Sequence, residues 1–308
     1  MKPALLLYPH ISSYPVLLLF GFFFGWALAR RRTRLFKIDP KHLDNIILIL
    51  PLASLFGARF FARLFYAKVG FVAALKFWEG DGLVFYGGFL FGASSVLAYA
   101  LSRRINLISL CDCVAPSVAL GLAFGRVGCF LAGCCWGDLC VDSARLHNIS
   151  DARVMAQIYT LPAVSGGSWP FAVRFPAGSD TFKQHVKYGL ISKSDEASLP
   201  VHPVQLYEAA AAALLAAFLH FRIRRNNPGD TALALLLGYA AIRFGTEYLR
   251  ADNKAFGWSL TFSQLVSVEI AITAMILWTI RSLILSRANR DPHEASKTAD
   301  RVEPSGSF

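Results

Sequence analysis

Long apolar runs, separated by short polar or basic stretches, recur along the whole chain. A helix needs about 20 apolar residues to cross the hydrocarbon core of a bilayer, and each run comes close to that length. The pattern predicts seven membrane-spanning helices, over residues 14–29, 46–66, 83–101, 114–133, 204–221, 231–249 and 265–285. The first run differs from a cleavable signal peptide, because its arginine cluster follows the apolar stretch instead of preceding it.

Composition supports the membrane interpretation and excludes several classes of protein. Of the 308 residues, 55% are hydrophobic and 17% are charged, whereas soluble domains average about 25% charged residues. This balance excludes a disordered, collagen-like or small disulfide-stapled protein. The predicted fold class is an all-α polytopic membrane protein.

The distribution of Lys and Arg predicts the orientation of the helices. Most basic residues lie in the loops after the first, third and fifth spans and in the C-terminal tail, and such residues are retained in the cytoplasm. We therefore expect the N-terminus outside and the C-terminus in the cytoplasm. The net charge of +11 has the same origin, and no nucleic-acid recognition module accompanies it. The predicted partner is a membrane, not a nucleic acid.

Two polar segments interrupt the membrane pattern. Residues 137–201 form a long connection with several Pro and Gly residues, which predicts a small external cap subdomain between spans four and five. Residues 286–308 predict a disordered cytoplasmic tail, so the membrane domain covers residues 1–285. We find no internal repeat or matched halves, which disfavours an alternating-access transporter.

The arginines inside predicted spans include Arg126 in the fourth span and Arg243 in the sixth. An arginine at mid-span costs about 2.5–3.5 kcal/mol on insertion scales. With the predicted orientation both lie in the outer half of the membrane, and other polar residues lie at the same depth: Tyr14, Tyr86, His202, Gln205, Tyr207, Glu208 and Glu247. Because a guanidinium fork binds two phosphate oxygens at once, these residues predict a cavity for the phosphate of a phospholipid. The alternative is structural pairing, for example of Arg243 with Glu247 one turn away.

Glycines and cysteines cluster at the outer end of the fourth span. The glycines allow either close helix packing or room for a ligand: Gly121, Gly125, Gly128 and Gly133. The cysteines fit three roles, as small packing residues, as a disulfide such as Cys134 or Cys135 with Cys140, or as direct catalytic or metal-binding groups. Their spacing matches no familiar zinc pattern, so we predict neither a metal nor another cofactor.

Three sequence blocks, GRVGCFLAGCCWG, LPVHPVQLYEA and GYAAIRFGTEYLR, occur in this order along the chain. With weaker matches up to about residue 285, they resemble the bacterial prolipoprotein diacylglyceryl transferases. The resemblance implies a multi-pass enzyme of the bacterial inner membrane that requires no cofactor. Such an enzyme moves the diacylglyceryl group of phosphatidylglycerol onto the lipobox Cys of a preprolipoprotein signal peptide and releases glycerol phosphate.

The resemblance also implies roles for individual residues. Arg126 and Arg243 match arginines thought to hold the phosphate, and Glu247 matches the carboxylate after the second arginine. The other matching positions are Tyr14, Gly137, His202, Gln205, Tyr207 and Glu208.

Three positions depart from the family pattern. Tyr86 replaces a His that has been proposed as the base for the acceptor thiol, and Cys129 and Cys134 replace Asn and Glu. We assign the two cysteines to substrate binding. The predicted catalytic residues are Arg126, Arg243, Tyr86, Glu247 and His202. The alternatives are a paralogue that uses the same phospholipid cleft on another acceptor, a non-catalytic lipid binder, and a lipid or solute transporter.

Overall fold

The computed structural model describes residues 13–66, 70–76, 82–140, 169–222, 227–250 and 260–299. This part of the chain contains nine α-helices: α1 (Ser13–Arg32), α2 (Pro40–Phe61), α3 (Phe71–Ala74), α4 (Phe85–Ser102), α5 (Leu107–Ala132), α6 (Asp180–Lys187), α7 (Val204–Arg222), α8 (Asp230–Glu247) and α9 (Phe262–Ala299). A 3-10 turn follows α1, and a π-helical turn, Ala62–Tyr66, extends α2. The described residues contain isolated β-bridges but no β-strand.

Each of the seven apolar runs is helical, as the sequence predicted. Some helices begin earlier than the apolar runs because a polar residue caps them. Asn106, for example, accepts a hydrogen bond from the backbone N–H of Ser109 at the start of α5. Within the described residues, four helices are long and apolar enough to cross a membrane: Pro40–Phe65, Leu107–Ala132, Val204–Arg222 and Phe262–Leu283. The protein is therefore a multi-pass membrane protein.

Helix α5 occupies the centre of the bundle. It packs against α1, α7 and α8, while α2 packs against α4 and α8 against α9. Small residues allow α1 to approach α5 closely. A Cβ on Gly21 of α1 would lie 3.0 Å from the Cβ of Phe124 on α5. Gly57 of α2 and Gly87 of α4 likewise face each other's backbone without room for a Cβ. Such crossings follow the small-residue packing of membrane helices.

Asp112 of α5 fixes the start of α8. Its carboxylate accepts hydrogen bonds from the backbone N–H groups of Gly229 and Ala232, at 2.5 and 2.8 Å. The first N–H groups of a helix have no partner within the helix and carry partial positive charge, so a carboxylate stabilises them. The buried Arg32 donates to the backbone oxygen of Asp112 at 3.1 Å. One residue thus connects the ends of α1 and α8 to α5.

The segment that the sequence assigned to a cap packs onto the end of α5 through its described residues. An antiparallel bridge joins Leu139 to Val201. Trp136, Phe175 and Val201 are buried together, with Phe130 of α5 packed against them. A small hydrophobic core therefore fixes the cap on the bundle.

Helix α9 is longer than the seventh predicted span. It includes residues 286–299, which composition had assigned to a disordered tail, while residues 300–308 lie outside the described part. Continuing an existing helix costs much less than nucleating one, and Ala, Arg, Glu and Lys in this segment favour the helix.

Buried His185 of α6 makes the stability of the cap depend on pH. Its Nδ1 accepts the backbone N–H of Leu199 at 3.3 Å, and burial lowers its pKa from 6.5 to about 4. Because folding disfavours the protonated ring, the stabilisation is complete above pH 6.5 and declines as the pH falls from 6.5 to about 4.

In detergent-solubilised protein, we expect hydrogen exchange at the amide of Leu199, corrected for its intrinsic rate, to accelerate as the pH falls through that window. His185→Gln retains an acceptor for this N–H group but cannot titrate, so its corrected exchange should not change with pH. Identical pH profiles for both proteins would contradict this account.

Candidate active site

Glu208 of α7 joins α5 to α8. Its buried carboxylate lies 2.5 Å from Nε of Arg126 on α5 and 3.0 Å from Nη1 of Arg243 on α8. The hydroxyl of Thr246 donates to the same carboxylate at 2.8 Å. The two arginines singled out in the sequence therefore meet on one carboxylate, which satisfies the requirement that buried charges be paired.

A second buried carboxylate, Glu247, extends this network. Its Oε2 lies 2.8 Å from Nη1 of Arg243 and 4.0 Å from Nε of Arg250. Its Oε1 accepts the hydroxyl of Thr261 at 2.7 Å, and Nη2 of Arg243 donates to Ser263 at 2.9 Å. The structural pairing of Arg243 with Glu247 that the sequence suggested is present, in addition to the contact with the first carboxylate.

The network combines three cationic side chains with two carboxylates. The guanidinium groups of Arg126, Arg243 and Arg250 each contact Glu208, Glu247 or both. Guanidinium groups held in place by carboxylates can pair with the oxygens of a phosphate, so the arrangement is suited to binding an anion.

A cavity of about 580 Å³ reaches this network. Its walls come mainly from α1, α2 and α5 and are mostly apolar. On α5 the lining residues extend from Val114 to Cys129, about 22 Å along a helix. Tyr14, Arg126 and Tyr239 also line the cavity and lie close enough to interact electrostatically with each other or with Cys129. The cavity is thus amphipathic, with a long apolar part and a polar part at Arg126.

Arg126 has donors left for a ligand. It contacts Glu208 through Nε, and no hydrogen bond or ion pair with another described residue engages its Nη1 or Nη2. Its side chain is 20% exposed and lines the cavity. Two nitrogens in a planar fork are the groups that bind two oxygens of a phosphate.

The glycines of α5 divide between the two roles that the sequence left open. Gly121 and Gly125 line the cavity, and a Cβ at either position would meet nothing within 4 Å. A Cβ on Gly128 would instead lie 2.9 Å from Cδ2 of Tyr14. Gly133 has a φ of +70° and terminates the helix. Two glycines therefore make room in the cavity, and two serve packing and helix termination.

The end of α5 has the hydrogen bonds of a Schellman motif. The N–H of Gly133 donates to the carbonyl of Phe130, and that of Cys134 to the carbonyl of Cys129, both at 3.1 Å. Cys135 follows with a φ of +58°, which residues other than glycine seldom adopt. The Sγ atoms of Cys129, Cys134 and Cys135 lie within 4.8 Å of one another.

All the cysteines are free thiols in the structure: Cys111, Cys113, Cys129, Cys134, Cys135 and Cys140. The disulfide considered from the sequence, of Cys134 or Cys135 with Cys140, is therefore not formed here. The spacing alone gave no indication that three sulfurs would converge.

His202, Tyr207 and Trp169 form an aromatic cluster where the cap meets α7. The indole N–H of Trp169 donates to the hydroxyl of Tyr207 at 2.8 Å, and Nδ1 of His202 lies 3.5 Å from the same oxygen. The rings of Trp169 and His202 are 5.5 Å apart between centroids. Burial lowers the pKa of His202 below its usual value, so the ring is neutral at pH 7 and able to accept a proton.

Gly137 and Gln205 position the chain that follows α5. The N–H of Gly137 donates to the carbonyl of His202 at 2.9 Å, and a Cβ on Gly137 would lie 2.7 Å from the Cβ of His202. No larger residue fits there. The side-chain amide of Gln205 donates to the carbonyl of Cys134 at 2.6 Å. Both residues hold the first residues of the cap against the chain at the start of α7.

Tyr86 lies on α4, a helix to which none of these groups belongs. It is the second residue of α4 and is 64% exposed. It does not occur among the described residues that line the cavity. The catalytic role that the resemblance gave to Tyr86 stays a prediction.

Several contributors were absent from the sequence prediction. Tyr239 and Thr246 lie four residues before and three residues after Arg243, so the helical period could have placed them on the same face of α8. Ser263 belongs to α9, and no sequence pattern connects it with Arg243. Only the packing of α8 against α9 shows that contact.

Comparison with known sequences connects this geometry to a family. The family model described as prolipoprotein diacylglyceryl transferase matches residues 3–280. The chain belongs to this family.

Similar family members come from several bacteria and carry the name phosphatidylglycerol–prolipoprotein diacylglyceryl transferase. The protein of Methylococcus capsulatus is 27% identical over 289 residues, which cover 91% of this chain and 92% of that protein. The protein of Paraburkholderia phymatum is 29% identical over 290 residues, which cover 88% and 90% of the two chains. The protein of Burkholderia multivorans is 29% identical over 288 residues, with coverage of 88% and 91%.

The shared carboxylate gives a stability prediction for this transferase-family chain. Glu208→Gln would leave Arg126 and Arg243 without their common counter-charge. Removing one partner of a buried ion pair lowers the free energy of unfolding by about 3–5 kcal/mol, so we expect Glu208→Gln to have a markedly lower melting temperature in detergent. Glu196→Gln in the cap removes the same charge at an exposed position and should have little effect. Equal melting temperatures for the two variants would contradict the proposed role of Glu208.

Proposed function

We propose that this protein transfers the diacylglyceryl group of phosphatidylglycerol to the lipobox cysteine of preprolipoproteins and releases glycerol phosphate. The observation that carries the proposal is the amphipathic cavity with Arg126 at its polar part. The names of the relatives give phosphatidylglycerol and prolipoprotein as the substrates of those proteins. The chemistry of the cavity supports the same lipid for this chain.

The cavity matches the two parts of a phospholipid. Acyl chains need a long apolar surface, which the walls along α5 offer between Val114 and Cys129. The phosphate needs a fork of N–H donors, which the Nη groups of Arg126 offer.

The proposed reaction increases the negative charge of the phosphate group. The acceptor sulfur attacks the glycerol carbon, a C–S bond forms, and the C–O bond breaks with its electron pair left on the phosphate oxygen. The leaving phosphate monoester gains charge next to Arg126, Arg243 and Arg250, where fixed cations stabilise it. Glu208 and Glu247 orient these guanidinium groups.

The proton of the acceptor thiol also needs a destination. His202, just before α7, is one proposed acceptor, because its ring is neutral at pH 7 and has a free electron pair for a proton. Tyr86 is the second, from its position in the family pattern.

We propose a topology of seven spans, with the N-terminus outside and the C-terminus in the cytoplasm of a bacterial inner membrane. The seven helices that coincide with the apolar runs and the alternation of basic loops support it. In this orientation the end of α5 that bears Arg126 faces outward, toward the side on which a secreted preprolipoprotein arrives.

Arg126→Ala tests the assignment of the phosphate site. Loss of one group that stabilises a developing oxyanion lowers the rate by roughly 100-fold or more, and we expect such a loss here. The assay incubates purified protein with labelled phosphatidylglycerol and a lipobox peptide and measures the mass of the peptide Cys adduct. The control is Arg103→Ala, which removes an exposed arginine at the end of α4, over the ring of Tyr99. Full activity of the Arg126→Ala variant would refute the role of Arg126. If the wild-type protein binds phosphatidylglycerol but transfers nothing to the peptide, the protein is a lipid binder.

Gly125→Leu tests the cavity as the lipid site. The new side chain would enter the cavity without a steric clash at Cβ, so the fold should be retained while the apparent KM for phosphatidylglycerol rises. Gly245→Leu places the same side chain on the exposed face of α8 and should leave KM unchanged. An unchanged KM for the first variant would place the lipid elsewhere.

A further inference from the structure

Three thiols converge at the polar part of the cavity, and the reaction steps above do not use them. The Sγ atoms of Cys129, Cys134 and Cys135 all lie within 4.8 Å of one another. Cys129 lines the cavity, and all three side chains are partly exposed. The cluster is therefore accessible and adjoins the space assigned to the substrates.

The backbone, not chance proximity, brings these thiols together. In a Schellman motif the side chains at the third helical position from the end and at the second position after the helix lie against each other. Here those residues are Cys129 and Cys134. The positive φ of Cys135 then turns the third thiol toward the first two. Such a conformation in a non-glycine residue is unfavourable and often accompanies a functional site.

The spacing of the sulfurs is close to that of a thiolate metal site. Zn–S bonds of about 2.3 Å place tetrahedral sulfur ligands about 3.8 Å apart. Sulfurs within 4.8 Å of one another reach that spacing with small rotations about their Cα–Cβ bonds. Three thiolates are ligands that favour Zn²⁺ over oxygen-seeking cations.

The surrounding charges suit a metal–thiolate group. Zn²⁺ with three thiolates carries one net negative charge. The guanidinium groups of Arg126 and Arg250 lie close enough to Cys135 to interact with it electrostatically. Positive charge near the sulfurs favours their thiolate forms, which are the metal-binding forms.

We propose that Cys129, Cys134 and Cys135 bind a zinc-type cation whose fourth coordination position is open to the cavity. On binding, the three thiols release their protons to solvent. Three protein ligands and one open position are the arrangement of catalytic rather than structural zinc sites. In a part of the proposal that rests on the proposed function, the acceptor cysteine is the fourth ligand. Coordination makes its thiol more acidic, and its proton passes to one of the two acceptors proposed above, which leaves the attacking thiolate.

Titration of the reduced, detergent-solubilised protein with Co²⁺ tests the metal site. We expect one Co²⁺ per chain, with sulfur-to-cobalt charge-transfer absorption that Zn²⁺ abolishes. Loss of a residue that only hydrogen-bonds to a metal ligand typically weakens metal binding by roughly 10- to 100-fold. Loss of a ligand should weaken Co²⁺ binding by more than that in each of three variants: Cys129→Ser, Cys134→Ser and Cys135→Ser. Cys140→Ser and Cys111→Ser, which change cysteines outside the cluster, should bind Co²⁺ like the wild type.

A second measurement needs no variant and so does not depend on how the variants fold. Zn²⁺ should protect these three cysteines of the wild type from alkylation, as mapped by peptide mass, and leave Cys111 and Cys140 as reactive as before. Absent charge transfer, equal affinity in the cluster variants, or uniform alkylation would overturn the proposal. A disulfide within the cluster in protein isolated without reductant would also overturn it and identify a redox pair instead.

The fourth-ligand step has its own test. A lipobox peptide should shift the Co²⁺ absorption, and the same peptide with Ser in place of Cys should not. An unchanged spectrum with a peptide that the protein does lipidate would refute this step. Because the Co²⁺ titration contains neither lipid nor peptide, its outcome is independent of whether diacylglyceryl transfer occurs.

Discussion

The carboxylate of Glu208 is the constraint on which the centre of the bundle depends. Guanidinium groups from two other helices, Arg126 of α5 and Arg243 of α8, converge on it. Each of these charges would be costly in a membrane protein without a partner. The helices must therefore pack so that all three side chains meet. The shared carboxylate links three helices and holds the guanidinium group of Arg126 beside the cavity, so the contact that holds the fold also prepares an anion site.

The cavity depends on missing side chains as much as on those present. Protein interiors are close-packed, and an elongated space beside a partly exposed arginine needs an occupant. Gly121 and Gly125 keep this space open because neither position has a Cβ, while Gly128 lets Tyr14 approach the same helix. Glycines a few residues apart on α5 thus combine two requirements, room for a lipid chain and contact between helices.

The C-terminal end of α5 connects the bundle, the cap and the thiol cluster. The Schellman hydrogen bonds satisfy the last carbonyls of the helix and fold the chain back over Cys129. Gln205 and Gly137 then hold the returning chain against α7 through backbone contacts. The geometry of one helix end therefore determines the positions of the thiols relative to Arg126.

The sequence by itself determined the helices, the membrane class, the family motifs and the placement of Arg126 and Arg243 within helices, because apolar length, charge inside an apolar run and local motifs are properties of short stretches of chain. It predicted the pairing of Arg243 with Glu247 for the same reason, since one helical turn separates them. Only the tertiary structure decided that Glu208 is shared, that Ser263 contacts Arg243 and that three cysteines converge. These contacts join separate helices, or depend on backbone dihedral angles after a helix end, and neither is written in residue spacing.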